Sequence, residues 1–174
     1  MATVVKAAPV VYEILDKILP NHKRLDGAKI GVCFADTKPF KGGRINLGKA
    51  AKFSSAAKIW QDKKYDFCIT LCADLWYQIL KEEQREALLD LMVTCCDVEY
   101  EPMTQNVNGK DVVIKDDWGR VRDSDKVKLD DEGSPKWKVK NLGIDIYTSN
   151  IRRYGLWYED LENLSEAMKT QGEV

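Results

Sequence analysis

Residues 82–100, EEQREALLDLMVTCCDVEY, decide how the rest of the chain is organised. Acidic residues begin this stretch, and apolar residues follow at spacings of one, three and four, which is typical of a helix packed into a core. A helical segment at 73–80 precedes it, as part of one broken helix or as a separate one. We therefore predict a central helix over about 81–96, with these residues on its apolar face: Ala87, Leu88, Leu91, Met92 and Cys95.

Upstream of the central helix, the sequence predicts one amphipathic helix and a few strands. Residues 8–19 place their apolar side chains on one helical face, and Pro20 ends the pattern. Residues 28–35 and 65–71 are apolar and favour β structure, so we predict two buried strands. The glycine-rich stretch between them predicts a loop, a short strand at Arg44–Leu47 and a turn.

Downstream of the central helix, short β-like runs alternate with polar turns, which predicts a β insert at about 98–140. Terminal helices are predicted at about 145–169, near 145–153 and 157–169. This order of elements predicts an α+β fold, with a small mixed sheet packed against helices. We expect one compact domain over residues 1–174.

The composition argues against several classes of protein. The 27 Lys and Arg nearly balance the 28 Asp and Glu, so nucleic acid is not the expected partner. No apolar run reaches the ~18 residues of a membrane-spanning helix, and the first residues do not resemble a signal peptide. Five cysteines, an odd number with an adjacent pair, favour a reduced chain in the cytoplasm.

The chain has a single histidine, His22. Most catalytic zinc sites and most general bases at neutral pH use histidine, so this number restricts the chemistry available to the chain. Because His22 follows Pro20 and Asn21 at the predicted end of a helix, we expect a surface or helix-terminal histidine.

Residues 65–90, YDFCITLCADLWYQILKEEQREALLD, resemble the phage metallopeptidase family, which consists of zincin-like proteins encoded in phages and prophages. Similar elements lie upstream, DGAKIGVCF at 26–34 and GRINLGKAAKFS at 43–54, and downstream, RYGLWYEDL at 153–161. The resemblance covers about residues 10–165. It implies a compact zincin-like domain, the minimal fold of such metallopeptidases.

In the family, the central helix continues into H-E-x-x-H, whose two histidines bind Zn²⁺ while the glutamate activates the metal-bound water. The matching positions here are Leu91, Met92, Val93, Thr94 and Cys95, and Ile144 occupies the position of a further histidine. The resemblance therefore implies a degenerate member with no catalytic residues and no metal, in which Leu91, Met92, Cys95 and Ile144 are former site positions.

The alternative is a metal-dependent peptidase with a rebuilt zinc site. Cys95, Asp97 and Asp145 are its candidate ligands, since thiolate and carboxylate groups both bind zinc. Nucleotide binding through G-x-x-x-x-G-K at 43–49 is disfavoured, because Ala50 stands where a P-loop has Ser or Thr.

We expect the chain to act by binding a protein, inhibiting a host or defence factor in the host cytoplasm. An edge strand along a zincin-like cleft is able to pair with an extended segment of a partner. Aromatic residues and arginines near the end of the chain suit a protein-binding surface. The candidate partner-binding residues are Arg44, Asn46, Lys49, Arg152, Arg153, Trp157 and Tyr158.

Overall fold

A computed structural model of the chain describes residues 3–42, 44–53, 65–159 and 161–163. The chain divides into two compact units, Met1–Cys96 with Val139–Val174, and Asp97–Lys138. Helices and small sheets occur together, so the predicted α+β class is confirmed. Among the described residues, no helix combines the length and apolar character needed to cross a membrane.

The first unit contains a four-stranded mixed sheet in the order β1-β2-β6-β5. Its central strands β2 and β6 are parallel, while β1 and β5 pair antiparallel at the two edges. A two-stranded ladder of β3 and β4 lies in the connection from β2 to β5. The strands are β1 (Val4–Lys6), β2 (Ile30–Ala35), β3 (Phe40–Lys41), β4 (Arg44–Ile45), β5 (Lys49–Lys52) and β6 (Phe67–Cys72).

The helices agree with the predicted order. They are α1 (Pro9–Ile18), α2 (Glu82–Cys95) and α3 (Ile144–Tyr154), with one π-helical turn at Leu75–Ile79 before α2. Helical residues are also described at 159 and 161–163, and the rest of the helix predicted at 157–169 lies outside the described residues. In α2 the segment 87–93 is buried on every side, so α2 is the central helix of this unit.

The strand predicted at Arg44–Leu47 is present in part, as β4 (Arg44–Ile45), and it pairs with β3. The edge strand of the main sheet is β5, Lys49–Lys52, which the sequence does not predict. Residues 44–47 have the stronger β propensity, but the backbone ladder with β6 places Ala50 and Ala51 in the sheet. Pairing therefore overrides the local preference here.

The second unit consists of short antiparallel strands. The strands at and within it are β7 (Cys96–Val98), β8 (Tyr100–Pro102), β9 (Thr104–Val107), β10 (Lys110–Val113), β11 (Asp123–Val127) and β12 (Trp137–Val139). β9 pairs with β10, β8 with β11, and β7 with β12. The turn from β9 to β10 has positive φ at Asn108 (53°) and Gly109 (80°), as expected for an Asn-Gly hairpin.

Three backbone hydrogen bonds form a closed ring within this unit. The amide of Met103 donates to the carbonyl of Arg122 (2.8 Å), Arg122 to Ile114 (3.0 Å) and Ile114 to Met103 (2.9 Å). Three two-stranded arms leave this ring: β9 with β10, a second hairpin at residues 114–122, and β8 with β11. We call this arrangement the three-arm junction.

Candidate functional site

The segment of α2 at the predicted former metal positions is buried. Leu91 and Met92 have no exposed surface, and Cys95 is 3% exposed. A peptidase must bring its metal and water to a substrate chain, which requires open space beside the helix. In this structure the three positions belong to the hydrophobic core. The side chain of Ile144, the fourth position, lies outside the described residues.

Cys95 is the only zinc-ligand residue type among the three described positions. Its thiol donates a weak hydrogen bond to the carbonyl of Leu91 (Sγ···O 3.5 Å). Burial raises the pKa of this thiol to about 11; Lys140 acts against the shift and Asp145 adds to it. Because the thiolate is the form that binds metal or acts as a nucleophile, this burial disfavours both roles near neutral pH.

The described residues contain no group of three His, Cys, Asp or Glu side chains placed to hold a metal ion. The candidate ligands Cys95, Asp97 and Asp145 are all described, so they do not form a ready-made site. Asp97 is buried in the second unit, with one carboxylate oxygen 3.8 Å from Nζ of Lys138. Asp145 is exposed in the first turn of α3.

A polar cluster surrounds Asp90, the residue directly before Leu91 in α2. The Asp90 carboxylate is fully buried, and its Oδ1 accepts a hydrogen bond from Nε2 of His22 (2.8 Å). Its Oδ2 accepts bonds from Nδ2 of Asn150 (2.9 Å) and from Nε (3.1 Å) and a terminal nitrogen (2.6 Å) of Arg153. Residues from the turn that follows α1, from α2 and from α3 therefore meet at one carboxylate.

The cluster extends outward from Asp90 through Asn150. The side-chain oxygen of Asn150 accepts from Nε1 of Trp157 (2.7 Å), and its Nδ2 also donates to the carbonyl of Ala87 (2.9 Å). The Thr94 hydroxyl donates to the carbonyl of Asp90 (2.8 Å). Each buried polar side chain named here has a partner, as a buried polar cluster requires.

The environment of Asp90 shifts its ionisation. Burial raises the pKa of the carboxyl, but the hydrogen bonds from His22, Arg153 and Asn150 lower it by more, so the net pKa lies below its ordinary value. The nearby Tyr154 shows the opposite effect: burial, followed by the charges of Asp90 and Glu86, raises the pKa of its hydroxyl. The carboxylate is therefore ionised at neutral pH, with Arg153 as its charged partner.

Residues 4–169 match the model of the family described as putative phage metallopeptidase. The chain belongs to this family. The resemblance found in the sequence is thereby confirmed, and the chain is a metallopeptidase-like phage protein. No curated protein matches it, and neither does any solved structure.

In this metallopeptidase-family chain, the candidate partner-binding residues near the edge strand differ in exposure. Arg44 and Lys49 are exposed. Asn46 is half-buried, and its Nδ2 donates to Oγ1 of Thr37 (3.2 Å) and the carbonyl of Lys38 (3.0 Å). Asn46 therefore stabilises its own loop, while Arg44 and Lys49 remain accessible.

The candidates near the end of the chain belong partly to the core. Trp157 is 7% exposed and bonded to Asn150, so its indole is not on the surface, as a contact anchor would be. Tyr158 is half-buried, with its ring 4.5 Å from that of Trp157. Arg153 pairs with Asp90, whereas Arg152 is exposed. A partner-binding role for the accessible residues stays a prediction.

Sequence analysis missed the cluster around Asp90. His22 does end the short helical turn after α1, but its side chain is only 10% exposed, which corrects the expectation of a surface residue. His22 and Asp90 are 68 positions apart, so no local spacing connects them. An aspartate inside the apolar stretch 87–93 of a helix was the one available signal, because a buried charge requires a partner.

Proposed function

We propose that this chain is a non-catalytic member of the metallopeptidase family and acts by binding a protein. The observation that carries the proposal is the burial of Leu91, Met92 and Cys95 in the core, at the positions where the family resemblance expects metal chemistry.

Zinc does not fit the groups present at these positions. A catalytic zinc site normally has three protein ligands of nitrogen, oxygen or thiolate type. Leu91 has no donor atom, and the Met92 thioether is a soft ligand better suited to copper(I). Burial raises the pKa of the Cys95 thiol, which disfavours the thiolate form that binds zinc. The disagreement between these donors and zinc supports loss of the hydrolytic reaction.

The proposal includes a zincin-like arrangement of sheet and helix. In support of it, the antiparallel edge strand β5 packs beside α2, which is the relation that such enzymes use to hold a substrate chain. A scaffold that retains this relation without the metal still offers a strand edge to a partner. We propose a host or defence factor as that partner, because the family is one of phage proteins.

Metal content tests the loss of catalysis. We expect native chain purified without chelators to contain less than about 0.1 zinc per molecule and to cleave no unfolded casein. A restored variant, Leu91→His, Met92→Glu, Cys95→His and Ile144→His, is expected to bind about one zinc if the scaffold is zincin-like.

Stoichiometric zinc in the native chain, together with proteolysis that Cys95→Ala abolishes, would favour the alternative of a peptidase with a rebuilt site at Cys95, Asp97 and Asp145.

The proposed binding of a protein partner is tested separately. Tagged native chain is used to capture proteins from bacterial lysate, and any candidate is purified and titrated against the chain by calorimetry. Absence of a saturable partner would contradict it.

A further inference from the structure

The second unit has little core of its own. Within Asp97–Lys138 the buried hydrophobic residues are Val98 and Trp137. Eight large hydrophobic residues of the same unit are exposed: Met103, Val107, Val112, Val113, Trp118, Val121, Val127 and Leu129. Two-stranded arms cannot bury both of their faces, and apolar surface concentrated in this way marks an interaction site.

The strand registers separate the two faces of the arms. Alternate residues of a strand share a face, and so do residues opposite each other in an antiparallel pair. Lys110 lies opposite Val107, and Val112 lies opposite Gln105, so Val107, Lys110 and Val112 share one face. Met103 follows the same alternation along the chain from Val107.

The junction extends this face into the second arm. The backbone amide of Met103 donates to the carbonyl of Arg122, and that of Asp116 donates to the carbonyl of Arg120 opposite it. Position 116 is four residues after Val112 along the chain, so alternation places it on the same face as Val112. Arg122 lies opposite Met103 and therefore shares the face of Met103. We call this surface the cationic-apolar face; its defining residues are Met103, Val107, Lys110, Val112, Arg120 and Arg122.

The two faces differ in charge. Along the first two arms, the cationic-apolar face has three cations and one carboxylate, Asp116, which is bonded to Nε of Arg120 (2.7 Å). The opposite face includes Asp111, Val113, Lys115 and Val121, and its charges are mixed. Only the first face therefore combines aliphatic side chains with an excess of positive charge.

Trp118 occupies the tip of the second arm and is 84% exposed. Its turn is fixed by Asp116, whose Oδ1 accepts from the amides of Trp118 (3.0 Å) and Arg120 (2.8 Å). An indole presented on an ordered turn loses little conformational entropy on binding, which is the property of a contact anchor.

We infer that the cationic-apolar face, with Trp118 beside it, binds a protein whose contact surface is apolar and bordered by carboxylates. This inference rests on the proposed protein-binding function and assigns its surface. Positive charge disfavours a second copy, because two such faces would repel each other. Apart from Trp118, the apolar side chains of the surface are valines and a methionine, which do not stack on bases, so nucleic acid is a poorer match than protein.

Site-specific crosslinking tests which face is in contact. A photoreactive phenylalanine analogue replaces Val112 on the cationic-apolar face or Val121 on the opposite face; both side chains are 50% exposed. The chain is produced in bacterial cells and irradiated. We expect a covalent adduct with a single protein from position 112 and at least about fivefold less of it from position 121.

Titration of that purified protein supplies the energetic test. We expect Val112→Asp to weaken its binding at least about 10-fold and the matched Val121→Asp less than about twofold. Likewise Arg122→Glu should weaken binding strongly and Lys115→Glu on the opposite face weakly. All four side chains are exposed, so we expect each variant to keep the native fold. Circular dichroism of each variant checks this expectation.

Failure of this inference differs from failure of the proposed function. Equal losses from the two faces, or a partner that the native chain captures but position 112 does not crosslink, would overturn the assigned face and leave protein binding intact. A homodimer or a nucleic-acid adduct formed through position 112 would overturn the inferred occupant. Capture of no partner by the native chain would overturn both.

Discussion

Asp90 is a buried carboxylate that binds polar side chains from two other parts of the first unit. A fully buried carboxylate is costly unless its oxygens are well satisfied, and here they accept from His22, Asn150 and Arg153. Hydrogen bonds that involve a charged group are the stronger kind. Loss of Asp90 therefore removes the acceptor that these three side chains share.

We expect Asp90→Asn to lower the free energy of unfolding by about 2–4 kcal/mol, because it breaks a buried ion pair from one side while Arg153 keeps partial access to water. Urea unfolding followed by tryptophan fluorescence measures this. The control is Glu13→Gln, an exposed carboxylate on α1, which should change stability by less than about 0.5 kcal/mol. Equal effects from the two substitutions would show that the cluster contributes nothing particular.

The lowered pKa of Asp90 also predicts a pH dependence. A carboxyl whose pKa is lower in the folded state than in the unfolded state stabilises the fold above its unfolded pKa, about 3.9. That stability is lost as pH falls through the folded pKa. The difference in unfolding free energy between native chain and Asp90→Asn should therefore be constant from pH 5 upward and shrink below about pH 4.

Cys95 gives a residue-level test of the buried former site. With its pKa raised to about 11 by burial, roughly one thiol in a thousand is ionised at pH 8. Under native conditions iodoacetamide should label Cys95 at least about 100-fold more slowly than free cysteine. Peptide mass spectrometry measures the rate, and the half-buried Cys33 is the internal comparison. Fast labelling of Cys95 would contradict its burial.

At the scale of elements, Gly48 fixes the approach of β5 to the sheet. Its φ is +93°, and a Cβ there would collide with the carbonyl oxygen of Thr70 and lie 3.0 Å from Cα of Leu71 in β6. Strand β5 begins at the next residue, so the glycine is required both for its conformation and for the close contact.

We expect Gly48→Ala to destabilise the chain by about 3–5 kcal/mol, since strain at positive φ adds to a backbone clash. Gly27→Ala is the matched control, because Gly27 also has positive φ (+76°) but nothing lies within 4 Å of the added Cβ. It should cost only about 1 kcal/mol. Thermal unfolding of the two variants measures the difference, and similar losses would rule out the clash as the cause.

The elements that sequence predicts best are those whose pattern depends on burial along one chain segment. Helices α1 and α2 and strands β2 and β6 follow directly from apolar periodicity and apolar runs. The position of β5 does not, because Ala50 and Ala51 have little preference for strands and join the sheet only by pairing with β6. The cluster around Asp90 is not predictable from the sequence for a similar reason, because it joins distant residues whose local patterns are unrelated.

At the scale of the whole molecule, the described tryptophans differ widely in their exposure. Trp118 is 84% exposed in the second unit, while Trp76, Trp137 and Trp157 are each at most 7% exposed. A protease needs an extended, accessible segment, so exposed turns are cut before the core opens.

We therefore expect chymotrypsin to cleave after Trp118 faster than after Trp76, Trp137 or Trp157 under native conditions. Mass spectrometry of the early fragments identifies the order of cuts. Trp118→Ala should remove the early cut without accelerating the other three. Early cleavage after Trp157 would contradict its place in the buried cluster with Asn150.

The first unit is interrupted after Cys96 and resumes at Val139, and beside this break the backbone amide of Lys140 donates to the carbonyl of Cys95 (2.8 Å). The two ends of the intervening segment therefore lie within hydrogen-bonding distance of each other. Evolution is able to lengthen, shorten or exchange what lies between such neighbouring points without remaking the helix that ends there. Members of this family are able in this way to vary the second unit while inheriting the same scaffold.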